Sequence, residues 1–291
     1  MRNMKLRLLG VGAVAALLLS ACGGGGNGVD VEVAENPNFP EGSTMAKLAD
    51  AGKITIGVKY DQPGIGYLEP GADAPTGFDI EIGKIIAAKL GIPPENITWK
   101  ETVSDNREPF LQNGTVDLVI ASYSITDERR KVVGQAGPYY VTGQQLLVRE
   151  EDKERITGPE QLADVKTCSV KGSTSLKNVV EDYNAEPVPF DTYSDCVTQL
   201  LNGSVDAVTT DGAILLGYAA QNPDKLEVVG EPFSEERYGV GFKHGDTQMC
   251  EFITDTLKEA MEDGTWAEAF EATLGQSGVE TPEPPALDPC S

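Results

Sequence analysis

The residues whose types and spacing could do chemistry fall in three short segments. Ser122-Tyr123-Ser124-Ile125-Thr126-Asp127-Glu128-Arg129 is dense in hydrogen-bonding groups. In an extended chain Ser122 and Ser124 point to the same side. Thr126 suits a helix N-cap, with Asp127 and Glu128 in the first turn. Arg129, Arg130 and Lys131 then fall near a helix N-terminus, where the macrodipole disfavours cations. A ligand carboxylate would offset that cost at Arg129 through a bidentate contact and the helix N–H groups. Arg130 and Lys131 are expected to pair with Asp127 and Glu128. Lys171-Gly172-Ser173-Thr174-Ser175 is a small-residue turn able to show backbone N–H groups to an anion. Its spacing is not that of a Walker loop, so no nucleotide is expected. Asp211 precedes an apolar run, residues 213–220, and suits either an N-cap or the seat of an ammonium. Arginine and aspartate facing each other across a cleft would suit a zwitterion, with Arg129 on the carboxylate and Asp211 on the ammonium.

Such segments need strands and helices to hold them. Ile54-Thr55-Ile56-Gly57-Val58 reads as a short strand. Residues 78–90 carry helical periodicity, with Ile82, Ile85, Ile86 and Leu90 on one face, and Gly91, Pro93 and Pro94 end the run. Alternation of this kind predicts an α/β fold. Asn113-Gly114-Thr115-Val116-Asp117 recurs as Asn202-Gly203-Ser204-Val205-Asp206. Each copy follows a helix-like segment and leads into a strand, residues 118–121 and 207–210. The repeat predicts two lobes of like topology. It also places Ser122 and Asp211 at the carboxyl ends of equivalent strands, where open α/β sheets bind ligands.

The balance of charge excludes some partners. Asp and Glu number 46 against 23 Lys and Arg, a net charge of −23, which argues against nucleic acid and against an anionic membrane surface. His244 is the one histidine of the chain, so a histidine metal site or triad is not expected, and neither a metal nor a cofactor is called for. Arg2, Lys5 and Arg7 followed by an apolar run at 8–19 read as an export signal, too short to span a membrane. Leu19-Ser20-Ala21-Cys22 resembles a bacterial lipobox. That implies cleavage before Cys22, a lipid on its sulfur and attachment to the outer face of the cell membrane. Loss of residues 1–21 removes three cations and leaves −26. Residues 22–43 are expected to form a flexible tether. Four cysteines remain, an even number in an exported chain, which suggests two disulfides. Zinc is disfavoured by the lack of any Cys-x-x-Cys. Three pairings are possible; Cys168–Cys196 with Cys250–Cys290 keeps each bond within one apparent unit. The second would pin the Pro-rich tail, residues 276–291.

Several segments together resemble the amino-acid-binding lipoproteins of ABC importers, in the polar-amino-acid group with the two-lobed type II periplasmic-binding-protein fold. They are Gly77-Phe78-Asp79, Ser122-x-Ser124-Ile125-Thr126-x-x-Arg129, Gly137-Pro138-Tyr139-Tyr140, Gly172-Ser173-Thr174 and Gly203-x-Val205-Asp206-Ala207. The likeness runs from about residue 46 to 274, and the acidic, cysteine-containing form is most similar to actinobacterial glutamate-binding proteins. The resemblance implies that Ser122, Ser124 and Arg129 hold the ligand α-carboxylate and help with the ammonium, that Asp211 binds the ammonium, and that Thr174 matches a further ligand-binding position. It assigns Lys59 and Arg107 to a side-chain carboxylate, and Tyr193 to a ligand contact seen in some relatives. The usual aromatic platform after the first strand is altered here, leaving Tyr60, Tyr67 and Tyr123 as candidates.

The expected organisation is a two-lobed α/β protein. Lobe 1 covers 44–143 plus 243–275 and lobe 2 covers 144–242, with passages near 143–148 and 238–242. The expected function is capture of L-glutamate, with glutamine or aspartate as competitors, and its delivery by a monomer to ABC permease and ATPase subunits. A sensor subunit for a membrane kinase would look nearly identical. An enzyme on this fold, of dehydratase type, would need a general acid or base that no motif supplies.

Overall fold

The computed structural model describes residues 28–290. The chain opens with α1 (Thr44–Ala51), β1 (Ile54–Val58), a small hairpin of β2 (Asp61–Gln62) and β3 (Gly66–Tyr67), and α2 (Phe78–Lys89). It continues through β4 (Ile97–Glu101), α3 (Arg107–Gln112), β5 (Leu118–Val119), α4 (Asp127–Arg130) and β6 (Gly134–Thr142). A second set follows: β7 (Gln144–Arg149), β8 (Thr167–Val170), α5 (Thr174–Tyr183), β9 (Val188–Phe190), α6 (Tyr193–Leu201), β10 (Ala207–Asp211), α7 (Gly212–Gln221) and β11 (Leu226–Val229). The last elements are β12 (Glu236–Phe242), α8 (Thr247–Asp263) and α9 (Thr265–Ala272).

The strands make two five-stranded sheets, ordered β4-β1-β5-β12-β6 and β11-β7-β10-β8-β9. The internal repeat emerges as topology. β5 and β10 are the central strands of their sheets, each with a parallel neighbour on one side and an antiparallel neighbour on the other. Both follow a helix stopped by a left-handed glycine, Gly114 at φ 66 and Gly203 at φ 77.

The chain crosses between sheets first at Gly143, between β6 and β7. The second passage lies at 230–235 rather than at 238–242, because β12 pairs with β5 and β6 in the first sheet. A strand cannot change sheets while it stays paired with β6, and that pairing runs from Glu236 to Phe242 with one irregularity between Tyr238 and Val240. Residues 236–242 therefore belong with lobe 1.

Helix α2 is buried nearly all round, since it lies against both the first sheet and α8 and α9. Its first residue, Phe78, packs edge-on against Tyr139, Tyr140, Trp266 and Phe270 at 5.3–6.0 Å. Gly77 sits at φ 124, and a Cβ there would overlap the backbone of Ile65. Only glycine lets the β2–β3 hairpin lie this close to the start of α2.

Both ends of the described chain differ from free segments. Residues 28–43 were expected as tether, yet Val29, Val31 and Phe39 pack on the core, and Phe39 meets Phe252 edge-on at 5.5 Å. The Val29 and Ala34 amides donate to Glu81 and to the Ala88 carbonyl of α2. Three apolar side chains spaced among acidic residues are enough to hold this irregular segment down without any periodicity. Residues 1–27, with the export signal and Cys22, lie outside the described residues.

The tail is fixed as expected by Cys250–Cys290, and the other disulfide is Cys168–Cys196. Closing loops of 28 and 40 residues adds about 3–4 kcal/mol each by chain entropy. Tail residue Asp288 bonds Arg130 at 2.7 Å and Arg237 at 2.5 Å, and its amide donates to the Gly137 carbonyl. Arg130 therefore pairs with the tail rather than with Asp127 or Glu128 of its own helix. The distant carboxylate wins because it is partly desolvated and bridges two guanidiniums.

Candidate ligand-binding site

The cleft between the lobes is built first by turn chemistry. Thr126 caps α4 as expected, its hydroxyl accepting from the Arg129 amide at 3.2 Å. Ser122 is not extended: it stands at φ 43, an uncommon value outside glycine. Two bonds hold it there. Its amide donates to Asp79 Oδ2 at 2.7 Å, and its hydroxyl donates to the Ala121 carbonyl at 2.9 Å. The turn also explains why regular pairing in β5 ends at Val119. Asp79 in turn accepts from Tyr139 at 2.6 Å. Burial pushes the Asp79 carboxyl up to about 6, against the pull of the Tyr139 and Ser122 hydrogen bonds.

Two guanidiniums meet over one ring. Arg107 and Arg129 lie 4.6 and 4.9 Å from the centroid of buried Tyr123, within cation–π range. Arg107 donates to the carbonyls of Ser104, Ala121, Ser122 and Gly172, leaving one of its five N–H groups. Arg129 donates to Glu108, to the Ser124 carbonyl and to Gly172, leaving two. Burial, then the neighbouring Arg129 charge, brings Arg107 down to about 10. Lys59, 3% exposed, donates to Ser104 Oγ at 2.8 Å. Burial first and Arg107 second lower its ammonium to about 7.

Lobe 2 supplies the opposite wall. Gly172 at φ 72 turns its carbonyl onto both guanidiniums at 3.0 Å each. A Cβ at that position would strike Asp105. Ser173, not Thr174, caps α5. The Thr174 hydroxyl donates to Glu236 at 2.8 Å. Asp211 stands at the cap position of α7 without making a cap bond. Its carboxylate accepts instead from Tyr238 at 2.6 Å and Ser175 at 3.3 Å. Burial, then the charge of Glu236, pushes the Asp211 carboxyl well above the usual carboxylate range. Burial and the Asp211 charge push the Tyr193 phenol up to about 12. The lobes are also joined outside the cleft: Asp61 of β2 accepts from the Tyr193 and Ser194 amides at the start of α6.

Of the residues expected at the site, Arg107, Ser122, Ser124, Thr174, Tyr193 and Asp211 line one small space of about 10 Å³ between the lobes. That is room for roughly one water, so the lobes stand shut on the site and must part to admit an amino acid. Lys59 stands behind Ser104, Tyr123 beneath the guanidiniums, and Arg129 on the adjoining groove with Gly172 and Thr174. Tyr60 donates to the Trp99 carbonyl and Tyr67 pairs within the hairpin, so neither lines that space. Ser104, Ser175, Glu236 and Tyr238 were not anticipated. No motif marks them; Ser104 lies three residues before Arg107, and the others owe their place to tertiary pairing. The cleft thus has basic groups on the side of Lys59, Arg107 and Arg129 and acidic groups on the side of Asp211 and Glu236. Among the described residues no cluster of three or more metal-ligating side chains occurs.

Two α/β lobes joined by two passages, with charge-separated walls facing across a small polar cleft, define a solute-binding protein of the type II periplasmic fold. The chain belongs to the bacterial extracellular solute-binding proteins, family 3, whose model matches residues 54–276. It is 37% identical over 274 residues to the glutamate-binding protein GluB of Corynebacterium efficiens, covering 90% of this chain and 88% of that one. It is 36% identical to the ABC transporter glutamine-binding protein GlnH of Bacillus subtilis, covering 91% and 95%. Among solved structures, the receptor for L-cysteine of Neisseria gonorrhoeae superposes with a TM-score of 0.77 at 28% identity, over 84% of this chain and 99% of that one. An ancestral arginine-binding protein bound to glutamine gives 0.72 at 35% identity, over 77% and 98%. Each of these relatives is named for binding an amino acid, and one of them, GlnH, for belonging to an ABC transporter. No described helix is long and apolar enough to cross a membrane.

Proposed function

We propose that the protein captures L-glutamate between its lobes and delivers it to the permease and ATPase of an ABC importer, working as a monomer held outside the cell membrane by a lipid on Cys22. The observation that carries the reading is the separation of charge across the cleft. Asp211 with the Thr174 oxygen seats an ammonium. Arg129 keeps two N–H groups for the α-carboxylate, while the Ser122 hydroxyl, its proton given to the Ala121 carbonyl, is left as an acceptor. Lys59 keeps two donors and Arg107 one for a distal group. The naming of the GluB relatives supports glutamate. A specific observation favours glutamine as the second reading: Arg107 has spent four N–H groups on carbonyls, and Lys59 stands one hydrogen bond behind the wall.

Calorimetry on the soluble body with the twenty amino acids tests this. Glutamate should bind tightest, and Lys59→Met should weaken it at least about tenfold while changing glutamine less than about threefold. Equal losses for both ligands would take Lys59 out of distal recognition, and no heat with any amino acid would end the reading.

A further inference from the structure

A buried glutamate stands behind the anionic wall. Glu236 is the first residue of β12, 3% exposed, where the chain re-enters the first sheet. Its Oε2 accepts from Thr174 at 2.8 Å and its Oε1 from Ser234 at 3.0 Å. Asp211, 4% exposed, accepts from Tyr238 and Ser175. Every hydrogen-bond partner of the two carboxylates among the described residues is a hydroxyl. Two buried acidic groups with no cationic partner are costly, and the cost falls when a cation arrives or a proton is held.

Hydroxyl direction adds a second constraint. Thr174 gives its proton to Glu236, so toward the cleft its oxygen can only accept. An ammonium N–H satisfies that oxygen; a carbonyl or carboxylate oxygen does not. The other groups facing Asp211 act in known directions. The Arg107 charge favours its ionised form, as do the Tyr238 and Ser175 hydrogen bonds, while burial and the Glu236 charge oppose it. Tyr140 and Tyr193 stand nearby as neutral phenols.

We propose that Glu236 is a specificity-determining residue, which fixes Thr174 as an acceptor and completes with Asp211 a two-carboxylate seat that selects ligands bearing an ammonium and gives up a proton when one binds. The proton balance is simple. Asp211 enters as the acid, the ligand ammonium replaces its proton as the neutralising charge, and the proton leaves to solvent. The inference rests on the amino-acid reading above.

Calorimetry at about pH 6, in two buffers of different ionisation enthalpy, reads protons released per ligand. At that pH Lys59 already holds its proton while Asp79, at about 6, is near its midpoint, so the difference in count between wild type and Glu236→Gln reports the acidic seat. Wild type should release a measurable fraction of a proton with glutamate. Glu236→Gln should release less, bind glutamate about tenfold more weakly, and lose at least about tenfold in its preference for glutamate over glutarate, which lacks the ammonium. Thr174→Val should lose affinity while keeping the proton release, since both carboxylates remain. An identical proton count and an identical glutarate preference in wild type and Glu236→Gln would overturn the role of Glu236 while leaving amino-acid binding standing. Should Glu236→Gln not fold, wild type decides alone: glutamate binding with no proton release at pH 6 overturns the proposal. Absence of any amino-acid binding to wild type would fell the functional reading and this inference with it.

Discussion

At the scale of single residues, the cleft holds groups whose charge depends on what they face. Lys59 is lowered to about 7 by burial, with Arg107 adding to it. A bound distal carboxylate favours its charged form, so the ligand raises that value. The Lys59 contribution to glutamate affinity should therefore be full below about pH 7 and fall as pH rises above it, by up to about tenfold per unit, on top of the acid-side loss that proton displacement from Asp211 gives both ligands. Glutamine, without the carboxylate, should show no such alkaline loss. Dissociation constants for both ligands between pH 6 and 9 check this, and parallel profiles would remove Lys59 from the contact. Lys59→Met should meanwhile unfold at a temperature no lower than wild type, because a desolvated ammonium is exchanged for an apolar chain of similar length. Which residues reach the cleft was legible where local chemistry dictates it: Thr126 caps its helix, and Asp211 ends its strand. What each residue touches was not. Ser122 depends on Asp79, 43 positions earlier, and Thr174 on Glu236, 62 positions later. Arg129 was expected near a ligand but also spends three donors on the protein. No spacing rule reports such pairings, because they are set by how the sheets stack.

Among the elements, the turn before α5 and the tail over β6 and β12 carry the clearest consequences. Gly172 brings its carbonyl to both guanidiniums only because its φ of 72 is free to glycine and its missing Cβ leaves room for Asp105. Gly172→Ala should open the interlobe contact and weaken ligand binding by about tenfold or more, the equivalent of 1–3 kcal/mol of backbone strain. Unchanged affinity would mean that the carbonyl contact plays no part in closure. Replacing Cys250 and Cys290 together by serine should lower the unfolding midpoint by roughly 10 °C, from about 3–4 kcal/mol of lost loop constraint. A shift under about 2 °C would show that the Asp288 contacts hold the tail unaided. The strands and helices themselves were readable from periodicity and glycine stops, and the repeat foretold two matching sheets. The return passage was misplaced because residues 238–242 are as apolar and strand-like as a linker between sheets would be. Only the ladder to β6 shows which sheet owns them.

For the whole molecule, the acidity and the basic pocket act over different distances. The charge of −23 surrounds a cleft where three cations converge on one wall. Added salt screens the outer repulsion over about 10 Å at 0.1 M and leaves the buried pocket less affected. The association rate of glutamate should thus rise modestly with salt; stopped-flow rates that fall instead would give the pocket's own field control of encounter. The tail bears on closure in another way. Asp288 grips β6 through the Gly137 carbonyl, ahead of the passage out of lobe 1, and β12 through Arg237, just after the chain comes back. A pivot braced on both of its legs swings about one axis instead of wobbling. The open protein then samples a narrow set of arrangements, and little disorder is surrendered when the lobes shut on their cargo.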